Sequence, residues 1–177
     1  MTADAPSNQS IGLAVDTPAS CDCRDTVLIE ISSSADLLAP VRAFVTTLAS
    51  RWGFDENAQF QMALAVDEAV ANVINHGYRR RPDGRIWLQI SRVSAPREGV
   101  IFVIDDEGEQ VDPCQIRSRD LDDIRPGGLG VHIIREVMDG CVWERRPQGG
   151  MRLTLTKFQA PGFQAPGFQA PGFQAPE

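Results

Sequence analysis

The chain has 177 residues, of which 42% are hydrophobic and 23% charged, with a formal net charge of −7 and a sequence pI of about 4.8. This composition is typical of a one-domain globular protein and excludes collagen-like, coiled-coil and wholly disordered classes. The acidic balance argues against direct binding of nucleic acid, which requires a basic surface. Lys157 is the only lysine, and the glycine pattern of a Walker-type nucleotide site is missing, so a P-loop enzyme is disfavoured.

The sequence also bears on location and redox state. No apolar segment approaches the roughly 18 residues of a membrane span, and residues 1–10 lack the charged and apolar regions of a signal peptide. We therefore expect a cytoplasmic protein without a membrane partner. The four cysteines are irregularly spaced, which predicts reduced thiols rather than a disulfide framework. Cys21 and Cys23 could bind a metal, but a polar approach to the first strand is the favoured interpretation.

The first part of the chain predicts an arm, a strand and a helix. Residues 1–24 are rich in small and polar side chains without periodicity, which indicates a mobile N-terminal arm. Residues 26–32, TVLIEIS, have the composition of a β-strand. Ser34 can cap a following helix whose apolar spacing ends at Gly53, and Pro40 fits this helix only near its start.

A second helix and two strands follow. The helix is predicted from Asp55 or Glu56 to about His76, where Gly77 stops it. Residues 84–93 alternate apolar and other side chains, and residues 99–106 form an apolar run that ends in two acids. Both patterns predict β-strands.

The remaining chain combines a polar loop, a helix and a hairpin. Residues 107–126 are polar and long for a loop, which makes them a candidate lid. A short amphipathic helix follows the glycines at 127–130, and a hairpin closes around residues 148–150. The folded domain is therefore predicted at residues 25–157. Residues 158–177 repeat FQAPG, whose proline and glycine in each unit predict a flexible tail outside the fold.

The second helix carries a polar stripe. At about 100° per residue, four polar residues fall within a quarter turn: Gln61, Glu68, Asn72 and His76. An apolar set lies opposite: Met62, Val66, Val70, Val73 and Ile74. An amide oxygen suits Mg²⁺, and a carboxylate one turn earlier can accept a proton. Taken alone, the stripe is equally consistent with a solvated helix face.

Two further motifs suit a nucleotide. Asp106 ends an apolar strand and is followed by Gly108, so its carboxylate can accept a hydrogen bond from an exocyclic amine such as that of adenine. The GGLG segment at 127–130 precedes a helix, whose free N–H groups can bind phosphate. Each motif alone is weak, and a polar turn is the commoner reading of the first. Their order, with a lid between them, is much more specific.

In this order the sequence resembles the GHKL ATPase superfamily and, within it, the bacterial anti-sigma-factor serine kinases. DEAVANVINHGY is similar to the N box of that family, IDDEG to its first glycine box, PGGLGVHIIREVMDG to its second, and GGMRLTLTK to its closing strand. The resemblance covers residues 26–157 and leaves out both ends of the chain. It implies an α/β (α+β) two-layer sandwich, the GHKL or Bergerat ATP-binding fold, with helices on one face of a mixed β-sheet.

The resemblance also implies roles for individual residues. Glu68 would be the catalytic base and Asn72 the Mg²⁺ ligand. The remaining nucleotide-binding positions would be Asp106, Gly108, Gly128, Leu129 and Gly130. The cofactors implied are ATP and Mg²⁺, and the partners are a sigma factor, an anti-anti-sigma protein and a second copy of the chain in a homodimer. A lid arginine can also add positive charge near the phosphates, and the sequence leaves three candidates open: Arg117, Arg119 and Arg125.

Two residues depart from the family pattern. Gln110 stands where the family often has a second glycine, and it is expected to stiffen the turn or to crowd the nucleotide. Met151 stands where the family often has threonine, so a hydroxyl expected near the nucleotide is missing. His76 can contact the ligand or cap the helix, and the structural role is the favoured interpretation.

The leading hypothesis is an ATP-dependent serine kinase that binds a sigma factor and phosphorylates an anti-anti-sigma protein. The main alternative is a non-catalytic partner switch with a degenerate or purely regulatory ATP site, which Gln110 and Met151 motivate. A third reading is a detached histidine-kinase catalytic domain. It is disfavoured because no phosphoacceptor helix bundle occurs in this chain.

Overall fold

The structure, a computed structural model, describes residues 23–94, 97–116 and 129–160. The predicted arm therefore lies outside the described residues except for its last two positions, which belong to the first strand. The helices and strands follow in chain order: β1 (Cys23–Ser32), a 3₁₀ turn (Ala35–Leu37), α1 (Leu38–Arg51), α2 (Glu56–Asn72), a π-helical turn (Val73–Gly77), β2 (Arg85–Val93), β3 (Gly99–Asp106), a 3₁₀ turn (Pro113–Gln115), α3 (Leu129–Val137), β4 (Gly140–Arg145) and β5 (Met151–Phe158).

The elements form a two-layer α+β domain. Five strands lie in the order β1-β2-β3-β5-β4, and α1, α2 and α3 supply the buried residues that pack on the sheet. Alternate residues of the central strands face these helices because side chains alternate across a strand. The core includes, from the sheet, Ile86, Leu88, Ile90, Val100, Phe102, Ile104, Leu153 and Leu155, and from the helices, Val41, Val45, Met62, Val66, Val70 and Ile134. The predicted two-layer sandwich is confirmed.

The strand directions correct one detail of that prediction. The four described pairings, β1 with β2, β2 with β3, β3 with β5 and β5 with β4, are all antiparallel, whereas a mixed sheet was expected. Two successive helices between β1 and β2 reverse the chain direction, so these neighbours run opposite ways. The strands β3 and β4 do run the same way, but β5 lies between them and pairs antiparallel with both.

The C-terminal boundary also differs from the expected one. The strand β5 continues into the first FQAPG unit, where the Phe158 ring lies 5.1 Å from the Arg97 guanidinium carbon. The Gln159 N–H donates to the Glu98 carbonyl at 2.9 Å, and its Nε2 donates to the Trp52 carbonyl at 2.9 Å. The first two residues of the repeat are therefore part of the fold. Residues 161–177 lie outside the described part of the chain.

Local signals explain where the two long helices begin. The Ser34 side chain accepts a hydrogen bond from the Asp36 N–H at the 3₁₀ turn that leads into α1, and Pro40 lies in the first turn of α1 as expected. The Asp55 carboxylate accepts from the Ala58 N–H at 2.7 Å and caps α2. Within the described ranges, no helix is long and apolar enough to cross a membrane.

Candidate functional site

The polar stripe of α2 lies beneath the start of α3. Glu68 and Asn72 are both half-buried and one turn apart. A Cβ atom added to Gly130 would lie 2.6 Å from Glu68 Oε2 and 3.2 Å from Asn72 Nδ2. A side chain at position 130 would displace the Glu68 carboxylate from its present position, so the glycine lets α3 lie directly over the carboxylate and the amide. The fold therefore brings together three residues that the sequence placed in two separate motifs.

A π-helical turn joins this stripe to the end of β3. The Tyr78 N–H donates to the Val73 carbonyl at 2.9 Å, which is the i to i+5 spacing of a π-turn. The end of this turn contacts the loop after β3 through the backbone. The Glu109 N–H donates to the Gly77 carbonyl at 2.9 Å, and a Cβ on Gly108 would lie 2.7 Å from the same carbonyl group. Gly77 is not in a left-handed conformation. The helical segment does end at Gly77, as expected, but the close approach of the two backbones depends on Gly108, because a Cβ on Gly77 would make only ordinary contacts.

This contact gives a stability prediction. Gly108→Ala is expected to lower the free energy of unfolding by about 1–3 kcal/mol, because the added methyl group overlaps the Gly77 backbone, which cannot rotate away. Urea unfolding followed by circular dichroism measures the change. Gly140→Ala is the matched control, since its Cβ would make ordinary contacts with Thr156 at 3.6 Å and 3.7 Å. Equal stability of the two variants would contradict the proposed packing.

Asp106 lies buried at the end of β3. Its Oδ1 accepts two backbone hydrogen bonds, from the Gly108 N–H at 2.7 Å and from the Met151 N–H at 3.3 Å. Among the described residues both donors reach the same oxygen, which leaves Oδ2 to accept from a ligand. Burial raises the pKa of Asp106 above its ordinary value of 3.8, and the two hydrogen bonds and the Arg146 guanidinium oppose that rise.

A cavity of about 410 Å³ lies between α2, α3 and the end of β3. This volume is typical of small-molecule sites. Asn72, His76 and Gly77 line it from the α2 side, and Asp106 lines it from β3. The rest of the wall is largely apolar and includes Ile104, Val111, Ile116, Val131, Trp143, Met151 and Leu153. The cavity can therefore enclose a flat apolar ring while two polar groups contact its edges.

The other predicted site residues lie near the cavity or outside the described chain. Glu68, Gly108 and Gly130 do not line the cavity. Glu68 lies one helical turn from Asn72, Gly130 lies beside Asn72, and Gly108 donates its N–H to Asp106. Leu129 begins α3 and is 58% exposed. Gly128 and the three candidate lid arginines lie outside the described residues. His76 is exposed at the cavity wall, a position from which it can contact a ligand.

Burial also changes the chemistry of the candidate base. The pKa of Glu68 is raised above its ordinary value of 4.5, first by burial and then by the neighbouring Asp67 carboxylate. A carboxylate with a raised pKa holds a proton more strongly and is a better general base near neutral pH. Asp67 itself is paired with Arg42, whose Nη2 lies 3.1 Å from Asp67 Oδ1.

The two departures from the family pattern have distinct positions. The Gln110 amide Nε2 donates to the Arg146 carbonyl at 2.7 Å and the Gly150 carbonyl at 3.1 Å, and Gln110 does not line the cavity. These contacts support the stiffening interpretation and not the crowding one. Met151 is buried and lines the cavity, and its backbone N–H supports Asp106. The sequence did not reveal either arrangement, because both depend on the position of the β4–β5 turn.

Comparisons with known proteins identify the family of the chain. The sequence profile described as "Histidine kinase-like ATPase domain" matches residues 31–157. The serine/threonine-protein kinase BtrW of Bordetella bronchiseptica is 31% identical over 140 residues, which cover 77% of this chain and 96% of that protein. The serine-protein kinase RsbW of Bacillus subtilis is 24% identical over 76% of this chain and 86% of its own.

A solved structure shares the fold. The structure of the RsbU and RsbW domains of Rv1364c from Mycobacterium tuberculosis superposes with a TM-score of 0.56 at 18% identity. The match covers 76% of this chain and 32% of that one. At this identity the likeness establishes the fold alone.

Proposed function

The chain belongs to the histidine kinase-like ATPase family, and we propose that it is an anti-sigma-factor kinase that phosphorylates an anti-anti-sigma protein on serine. Its relatives BtrW and RsbW are named as serine/threonine-protein or serine-protein kinases, which supports a kinase activity for this chain. The same proposal includes a sigma factor as the second partner, homodimerisation and a cytoplasmic location.

One observation carries the proposal. Asn72 and Asp106 line the same cavity from a helix and a strand, and Glu68 lies one helical turn from Asn72. A nucleotide bound there would place its base at Asp106 and its phosphates towards Asn72 and the start of α3. The phosphate end would then lie beside the candidate base.

The donor set suits ATP and Mg²⁺. Asp106 offers a buried carboxylate oxygen to an exocyclic amine, and the Asn72 amide oxygen is a ligand type that Mg²⁺ accepts. Among the described residues there is no cluster of three or more His, Cys, Asp or Glu side chains. A magnesium ion here would be held mainly by substrate phosphates and water, as is usual for Mg²⁺ at phosphoryl-transfer sites. Bound Mg²⁺ would neutralise charge on the phosphates.

The protein's part in the reaction is positioning and one proton transfer. Phosphoryl transfer requires mainly alignment and charge neutralisation, with a base to orient the attacking hydroxyl and accept its proton. Glu68 can act as this base on a serine hydroxyl, and its raised pKa suits the task. The backbone N–H groups at the start of α3 are donors for phosphate oxygens.

The kinase activity can be tested by direct phosphotransfer. The purified chain is incubated with Mg-ATP and each anti-anti-sigma protein encoded by the same genome, and phosphoserine is detected by mass spectrometry. We expect one serine of one acceptor to be modified. Failure to modify any of these proteins, under conditions where ATP binds, would contradict the proposed kinase role.

The proposed metal ligand gives a separate prediction. Asn72→Ala is expected to remove most of the increase in ATP affinity that Mg²⁺ produces, because the variant loses the neutral oxygen ligand. Calorimetric titration of ATP with Mg²⁺ and with EDTA measures this increase. Asn75→Ala is the control, since Asn75 follows on the same helical segment and its Oδ1 accepts from Arg80 Nε at 3.1 Å. The same loss in both variants would contradict the assignment.

A non-catalytic switch is the second candidate, and Met151 favours it. Met151 lines the cavity at a position where the family often has threonine, so the hydroxyl of that threonine is missing. In that case nucleotide binding would change partner affinity without phosphotransfer. Formation of phosphoserine on an acceptor excludes this alternative.

A further inference from the structure

We propose that Gln110 is a positioning residue for recognition of the nucleotide base: its side-chain amide fastens the loop after β3 to the β4–β5 turn and so fixes the orientation of Asp106. The inference rests on the proposed function, because it takes the cavity as an adenine nucleotide site. It assigns a role to a residue that does not itself line the cavity.

The Asp106 carboxylate depends on two separate segments. One of its backbone donors, Gly108, belongs to the loop after β3, and the other, Met151, is the first residue of β5. Because both N–H groups donate to Oδ1, the positions of the two segments fix the place of this oxygen and so the rotation of the carboxylate. A small movement of one segment away from the other would therefore turn Oδ2 relative to the cavity.

Gln110 joins these same two segments. Its Nε2 donates to the Arg146 carbonyl at 2.7 Å and the Gly150 carbonyl at 3.1 Å, and Gly150 directly precedes Met151. The turn is also very close to Asp106, since a Cβ on Gly150 would lie 1.9 Å from the Asp106 carbonyl oxygen and Gly150 has a φ of +76°. The loop after β3 and the β4–β5 turn are thus connected twice, once by the Gln110 amide and once by the Asp106 carboxylate.

Two arginines, the last residue of β4 and the first residue of the turn, extend this connection. Arg145 Nε donates to the Val111 carbonyl at 3.0 Å, and Arg146 Nη1 donates to the Asp106 carbonyl. The Arg146 guanidinium also lies 5.4 Å from the Trp87 ring centroid on the outer face of the sheet. The side chains of both arginines donate to main-chain carbonyls at the end of β3 and in the loop after it. The bonds of Gln110 run the other way, from a side chain of the loop to main-chain carbonyls of the turn. Replacing Gln110 therefore removes the loop's side-chain bonds to the turn and leaves the side-chain bonds of both arginines in place.

A glycine at this position could not make the bridge. The loop would then keep the bonds from Arg145 and Arg146 but lose its own side-chain bonds to the turn. Gln110 is exposed, so its replacement removes two hydrogen bonds without opening a cavity in the core. A change in ligand selectivity, rather than loss of the fold, is the expected result.

The test compares Gln110→Met with Gln159→Met. Methionine matches glutamine in length but has no donor and no charge. Gln159 provides the control because its Nε2 also donates to a main-chain carbonyl, that of Trp52, at a site remote from Asp106. ATP and GTP are titrated into the wild type and both variants by calorimetry, with Mg²⁺ and with EDTA.

For Gln110→Met we expect ATP affinity to fall about tenfold, the scale of one to two net hydrogen bonds. GTP affinity and the ratio of ATP affinities with and without Mg²⁺ should not change, because the phosphate end of the site is left intact. Gln159→Met should bind both nucleotides like the wild type. This pattern would support the positioning role, since a purely structural role predicts no change in the preference for ATP over GTP.

The contrary outcomes are distinguishable. If the wild type prefers ATP and Gln110→Met keeps the same preference, the inference is overturned while the proposed function stands. If the wild type binds no ATP, both are overturned, since there is then no adenine site to position. These titrations require no phosphoacceptor, so failure to find the protein substrate does not affect them.

Discussion

Glu68→Gln is expected to reduce the rate of phosphotransfer by about 10²- to 10⁴-fold, the usual contribution of a general base, while ATP binding is retained. The amide keeps the size of the side chain but cannot accept a proton. Glu68 does not line the cavity, so the nucleotide should bind as before. Single-turnover phosphorylation of the acceptor protein by saturating Mg-ATP measures the rate of the chemical step.

Glu56→Gln is the matched control, because it makes the same change in the exposed first turn of the same helix. Near-normal phosphotransfer by Glu68→Gln would contradict the role of this residue as the base. Loss of ATP binding together with activity would instead indicate that Glu68 holds the nucleotide or the first turn of α3.

Asp106→Asn is expected to weaken ATP binding roughly 10- to 100-fold, the scale of one hydrogen bond to a charged group. The two backbone donors to Oδ1 would hold the amide oxygen in that place. The amide nitrogen would then face the exocyclic amine, so two donors would oppose each other. Calorimetric titration with ATP tests this, and unchanged ATP affinity would remove Asp106 from the base site.

The same substitution should stabilise the protein without ligand. Because burial raises the pKa of Asp106 when the chain folds, its contribution to stability is fully present below its ordinary pKa of 3.8 and is lost as pH rises through the folded pKa. The asparagine is neutral at every pH, so its advantage should be greatest at neutral pH and disappear at low pH. Urea unfolding at both pH values measures it. A less stable variant at neutral pH would contradict the direction of the pKa change.

The sequence predicted most of the framework because its signals are local. Alternating or continuous apolar residues located β2 and β3 to within one residue, and Ser34 and Asp55 marked the starts of helical segments. The stripe periodicity also placed Glu68 and Asn72 on one helix face. Each of these inferences uses residues a few positions apart, where backbone geometry alone fixes the spacing.

The features that sequence reasoning missed depend on contacts between distant segments. The Gly77 carbonyl meets the loop after β3 at the end of a π-helical turn, and the sequence pattern predicted neither the turn nor the contact. The Gln110 side chain forms hydrogen bonds with the β4–β5 turn, some forty residues further along the chain. Nothing in the sequence around Gln110 indicates that the turn is its partner. The first repeat unit was assigned to the tail because of its composition, yet Gln159 binds Trp52.

Calorimetric titration of ATP into the wild-type chain, with Mg²⁺ and with EDTA, tests the central claim most directly. The account predicts saturable binding of one nucleotide per chain that is clearly stronger with Mg²⁺, because Asp106 and Asn72 line one cavity that can receive both the base and the metal-bound phosphates. No detectable binding under either condition would contradict the assignment of this cavity as an ATP site and leave partner binding as the function to be explained.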